Sequence, residues 1–123
     1  MSEITRELVD QIGDAFNAMD IEAVMEHFAD DAIFEHAIGP EAHGVRLEGA
    51  DAIRAAFSGL FDKVERVHWD VLDARIIGDK AYCEYYRQVT HKDGSTEACN
   101  SVDILTFREQ KIVKKDTYFK QVT

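Results

Sequence analysis

The chain is 123 residues long, 46% hydrophobic, with a formal charge of −10, which allows one buried core and little room for a second. That apolar fraction argues against disorder, and the acidic balance argues against nucleic acid or an anionic membrane as partner. No apolar run approaches the length of a membrane span, and no basic-then-apolar leader opens the chain. The expectation is a cytoplasmic protein folded as one domain over residues 1–123. Cys83 and Cys99 lack CxxC spacing, so neither a disulfide framework nor a zinc site is expected.

Ile4, Leu8, Ile12, Ala15, Phe16 and Met19 recur at three and four, predicting an amphipathic helix over residues 3–18. Asp20 suits the cap of a short second helix carrying Ile21, Val24, Met25 and Phe28 on one side. The "ADDA" that follows is expected to end this helix and turn the chain into a strand over 32–37. Strand residues alternate between faces, so Phe34 and His36 are expected to point inward and Glu35 outward. "GPEAHGVRLEG" holds the only proline and reads as a long loop, a candidate lid or rim. A third helix is expected over about 50–64, with Ile53, Phe57, Leu60, Phe61 and Val64 as its stripe and Gly59 weakening its interior.

From Arg66 to Val122 the character changes to four β-rich runs, separated by Gly78-Asp79, Asp93-Gly94 and the polar stretch from Arg108 to Lys111. Helices followed by a meander of strands predict an α+β protein with an antiparallel sheet. Asp93-Gly94 is a strong hairpin signal, and a two-residue type I′ turn would pair Lys92 with Ser95. Counting back from there, Gln88 faces Cys99, Tyr86 faces Ser101 and Glu84 faces Asp103. A slip of one residue would change every partner. Two carboxylates directly opposed would repel in water, and in a buried site would raise one pKa. The plain alternative is that both are solvated or bridged to Lys or Arg. Neither face of the hairpin is simply polar, so helices are expected on one and a second subunit on the other.

"NAMDIEAVMEHFADDAIFEHAIG", then a loop and "LEGADAIRAAF", resembles the opening of the nuclear-transport-factor-2-like superfamily, in its ketosteroid-isomerase and SnoaL-like branch. "CNSVDILTFREQKIVKKDTYF" is similar to the last two strands of that branch. The resemblance implies a cone-shaped α+β fold. In it, three N-terminal helices pack on a curved, mixed but mainly antiparallel sheet that encloses a pocket.

In "ADDAIFEH" the resemblance puts His36 where ketosteroid isomerases carry their catalytic aspartate. In "VDILTF" it puts Asp103 at the position of a protonated oxyanion donor. The family's tyrosine donor in the first helix is Ile12 here, which cannot donate, and its supporting tyrosine in the third helix is Phe57. The resemblance further directs Glu84, Tyr86, Gln88, Ser101 and Leu105 into the pocket. It directs Cys83, Tyr85, Val89, Val102 and Ile104 to an outer face suited to a homodimer. The expected catalytic set is His36 as base, with Asp103, Glu84 and Tyr86 as acid or oxyanion donors. Ile12, Phe16, Phe34 and Phe57 are expected to line the ligand site, together with Gln88, Ser101 and Phe119.

Two functions are carried forward. One is proton-transfer chemistry without a cofactor (isomerase, cyclase or dehydratase) on a small apolar or carbonyl-containing molecule. The other is a ligand-binding or dimeric interaction module in which these residues only tune polarity. The plain reading of His36 is a rim histidine bonded to a backbone carbonyl. Glu35, His36, Glu41 and His43 match no metal-ligand pattern, and no metal is expected. Lys111, Lys114, Lys115 and Lys120 read as a solvated stripe protecting a sheet edge.

Overall fold

The computed structural model describes residues 3–123, as three helices and six strands in one mixed sheet. Helix α1 spans Arg6–Asn17, starting later than the apolar period suggests because Thr5 caps it, its side chain accepting from the Leu8 N–H. Helix α2 spans Ile21–Met25, capped as expected by Asp20, which accepts from the Ala23 N–H. Helix α3 spans Ala50–Lys63 and is entered through Gly49 at φ 91°, a backbone conformation suited to glycine. Among the described residues no helix is long and apolar enough to cross a membrane.

The strands are β1 (Phe28–Glu35), β2 (Arg46–Glu48), β3 (Val64–Ile77), β4 (Lys80–His91), β5 (Thr96–Arg108) and β6 (Lys111–Phe119). They lie in the order β2-β1-β6-β5-β4-β3, and only the β1–β6 pair is parallel. The "ADDA" stretch does not end α2. It belongs to β1, which breaks register with β6 between Phe28 and Ile33, so the acidic pair sits in an irregularity of the strand. The long loop also carries structure, since β2 pairs Leu47 with Phe34 and Arg46 with Glu35. Strand β6 is interior to the sheet rather than at its edge, which removes the edge-protecting role expected of its lysines.

The hairpin joining β4 to β5 corrects the expected register by one residue. The His91 N–H donates to the Ser95 carbonyl and the Gly94 N–H to the His91 carbonyl, with Gly94 at φ 88°. The connection therefore has three residues and a glycine in the left-handed region, the second-ranking hairpin type for such sequences. Thr90 pairs with Thr96, Tyr85 with Ser101, Glu84 with Val102 and Cys83 with Asp103. One extra loop residue leaves β5 facing as expected and inverts β4. Cys83, Tyr85 and Val89 are buried rather than outward, whereas Glu84 and Tyr86 are exposed. The opposed Glu84–Asp103 pair does not form.

The core joins Val9, Ile12 and Phe16 of α1 to Ile53 and Phe57 of α3 and to the inner residues of the sheet. At its centre the Phe57 ring stacks on Phe34 at 5.0 Å and meets Phe16 edge-on at 5.0 Å, while Phe16 meets Trp69 edge-on at 5.6 Å. These rings separate the apolar interior from a cavity between α3 and the sheet.

Candidate functional site

The cavity has two adjoining lobes. The outer one, about 130 Å3, runs from His36 at its mouth past Phe57, Trp69 and Arg87 to Ser101 and Phe119. The inner one, about 20 Å3, is bounded by Ile12, Phe16, Tyr85 and Asp103. Trp69 and Lys115 line both. Of the expected site residues, the structure brings His36, Phe34, Phe57, Ser101 and Phe119 to the outer lobe and Asp103, Ile12 and Phe16 to the inner one. Glu84, Tyr86 and Gln88 are not among them. Gln88 bonds Asp70 instead, at 2.7 Å, because the one-residue shift turns all three to the other face of β4.

Lys115 is the residue that strand pattern and charge conceal. It is 6% exposed, in an interior strand and on the same face as Thr117 and Phe119. Its ammonium bonds Asp103 Oδ1 at 3.1 Å and Thr117 Oγ1 at 2.7 Å, and Thr117 Oγ1 donates to the same Asp103 oxygen at 2.7 Å. Three aromatic rings surround it, with centroids at 4.8 Å for Phe34, 5.6 Å for Phe57 and 5.7 Å for Phe16. An ammonium out of water needs such company. Alternation read backward from Phe119 would have turned Lys115 inward; its charge argued the opposite.

This arrangement bears on the role expected of Asp103. Its Oδ1 accepts two hydrogen bonds, one of them from an ammonium, the charge-assisted kind that a carboxylate oxygen favours. Among the described residues no side-chain hydrogen bond is made to Oδ2, and Asp103 lines the inner lobe.

His36 follows β1 and is solvent-accessible as a residue, yet its ring lies against Phe34 at 5.7 Å and Phe119 at 6.1 Å. Burial of the ring, then Lys115 and Arg87, hold its pKa below the ordinary imidazole value. The Ile38 N–H donates to His36 Nδ1 at 3.2 Å. A ring nitrogen that accepts carries no proton, so the neutral ring holds its hydrogen on Nε2. The Nδ1 lone pair is therefore occupied by the backbone of its own loop. The rim reading of His36 comes near this geometry, with a backbone N–H in place of the carbonyl.

Glu35 does turn away from the cavity, but it is 3% exposed rather than solvated. Arg46 at 2.6 Å and Lys114 at 3.1 Å cover it. Burial pushes its carboxyl up, and the two cations outweigh that and hold it below the usual range. Arg87 and Trp69, both missed in the sequence, form the remaining wall. The guanidinium sits over the indole, 5.9 Å from the ring centroid. Among the described residues no carboxylate lies within ion-pair distance of it. Ser101 is 5% exposed and its Oγ has no hydrogen-bond partner.

Three helices on a six-stranded mixed sheet, with a partly polar cavity between the layers, define an α+β protein of the nuclear-transport-factor-2-like type. A model of the SnoaL-like domain matches residues 9–115, and the chain belongs to that family. Among solved structures, a ketosteroid-isomerase-like protein from Catenulispora acidiphila, in complex with trimethylamine, superposes with TM-score 0.80 at 23% identity, over 94% of this chain and 86% of that one. A putative polyketide cyclase from Xanthomonas campestris gives TM-score 0.80 at 21% identity, over 93% and 88%. A putative SnoaL-like polyketide cyclase from Shewanella denitrificans gives 0.79 at 13% identity, over 94% and 89%. At these identities the likeness is one of fold. No curated protein matches the sequence significantly.

Proposed function

We propose that this protein binds a small carbonyl compound in the two-lobed cavity and moves a proton on it without a co-reactant, with the expected roles of His36 and Asp103 exchanged. Asp103 Oδ2 is the base. The His36 Nε2–H and the Lys115 ammonium stabilise the oxygen on which charge develops. The proton taken from the carbon next to the carbonyl returns to another atom of the same molecule, so the reaction balances as an isomerisation or an aldol-type ring closure. The observation that carries this reading is the Ile38 N–H bond to His36 Nδ1, set beside an Asp103 that only accepts.

The test is deuterium exchange into cyclohexanone in D2O, followed by NMR. Wild type is expected to accelerate exchange, and Asp103→Asn to abolish it. His36→Gln, which keeps an N–H donor, is expected to retain more activity than His36→Phe. Full activity in Asp103→Asn would overturn the assignment. A second reading has its own support, because a carboxylate paired with Lys115 at 3.1 Å is a weakened base. On that reading the cavity binds without reacting, and ligand binding with no exchange above background would select it. The outer sheet face, where Leu72, Tyr86 and Tyr118 are exposed beside Val102 and Ile104, is proposed as the contact with a second copy of the chain.

A further inference from the structure

Sorting the cavity's polar groups by what they still lack leaves an imbalance. Lys115 and Thr117 are engaged with Asp103. With the His36 N–H assigned to the reacting oxygen, two donors remain: the guanidinium of Arg87 and the hydroxyl of Ser101, both lining the outer lobe. A buried hydroxyl without a partner is costly, and folding alone offers no return for it. Arg87 is a planar fork already oriented by Trp69, the geometry that matches a carboxylate through two parallel bonds.

Size narrows the choice further. The lobes together come to the order of the ~150 Å3 apolar cavity that accommodates a single benzene. The walls are aromatic: Phe34, Phe57, Trp69 and Phe119. One ring fills the two lobes, and anything longer extends beyond the mouth.

We infer that the ligand is a one-ring carboxylate, with its ring between these aromatic walls and its carboxylate taken by Arg87 with help from Ser101. This rests on the proposed use of the cavity and names its substrate class: an acid, where the sequence suggested a small apolar or carbonyl-containing molecule. The carboxylate is the handle, and it leaves the far edge of the ring directed toward the inner lobe and Asp103.

The experiment titrates benzoate, its neutral isostere benzamide, and the two-ring 2-naphthoate, read by thermal shift and by NMR of the Trp69 indole. Benzoate is expected to raise the melting temperature and move the indole signal, and benzamide to bind at least about tenfold more weakly. Arg87→Met is expected to remove most of the benzoate affinity and Arg87→Lys to restore part of it. Ser101→Ala should be as stable as wild type or more so without ligand, because it deletes an unpartnered hydroxyl, yet bind benzoate less well. Equal binding of benzamide, or full benzoate affinity in Arg87→Met, would overturn the carboxylate. Tighter binding of 2-naphthoate would overturn the one-ring limit. Asp103→Asn separates the two proposals. Benzoate binding that survives it supports this inference, whereas its effect on deuterium exchange judges only the proton-transfer reading. Loss of benzoate binding in Asp103→Asn while the variant keeps its fold would count against Arg87 as the anchor.

Discussion

Lys115 and Asp103 are each tolerated because the other is present. A charge removed from water costs several kcal/mol, and the pair's attraction returns that only while both partners remain. Lys115→Met or Asp103→Leu alone is therefore expected to destabilise the fold by about 3–5 kcal/mol, and the double variant to recover to wild-type stability or exceed it by about 1–4 kcal/mol. Urea unfolding of the four proteins measures this. Additive losses would show that the pair is not coupled. Because the pair can be dispensed with for folding on this account, its presence in the cavity is better explained by chemistry than by stability.

The histidines set a pH dependence whose sign is determined. His36 is held below its ordinary pKa by ring burial, then Lys115 and Arg87; His27 by burial, then Lys111, partly opposed by Glu26. The unfolded chain takes up both protons near pH ~6.5, before the folded protein does. This contribution to stability is complete above about pH 6.5, declines as pH falls toward the folded values, and levels off below them. Melting temperatures across that range should follow this course, with His27→Gln and His36→Gln each flattening it. An unchanged slope in the double variant would refute it.

At the scale of elements, the loop before β2 holds His36 in place. The His36 N–H donates to the Val45 carbonyl at 2.8 Å and the Val45 N–H to the Ile38 carbonyl at 3.0 Å. Gly44 lies in the left-handed region at φ +73°, where a Cβ would run into the His36 carbonyl oxygen. Gly44→Ala is expected to cost more than the roughly 1–2 kcal/mol of the backbone conformation alone. It should also move the His36 ring resonances in NMR; an unperturbed ring would disconnect the loop from the site. The lid expected from "GPEAHGVRLEG" is thus a brace, tied in by β2. The helices were legible nearly to their ends because caps and apolar spacing are local signals, as Asp20 and the α3 stripe show; the Thr5 cap was overlooked, and it sets the start of α1. The hairpin was legible as a hairpin but not in its register. Asp93-Gly94 serves two-residue and three-residue loops alike, and only the bonds from His91 to Ser95 and Gly94 decide between them.

For the whole molecule, the proposed second copy gives a measurable expectation. Sedimentation should find twice the 14.0 kDa mass of the chain. Tyr86→Lys with Tyr118→Lys should shift it to the single mass, since exposed apolar patches are what associate. A wild-type protein that sediments as one chain would dismiss the dimer.

The chain's own residues determined the α+β class, the order of helices and strands, and the inward positions of Phe34, Asp103, Ser101 and Phe57. All of these depend on local capping, on a period of two or of 3.6, or on a resemblance spread along the chain. Only the tertiary structure decided which face of β4 meets the cavity, that Lys115 lies inside it, and that His36 Nδ1 accepts from the Ile38 N–H. The first two turn on a neighbour distant in sequence or on a single residue of register, the third on how the loop closes, and a period of two converts one residue into the opposite face.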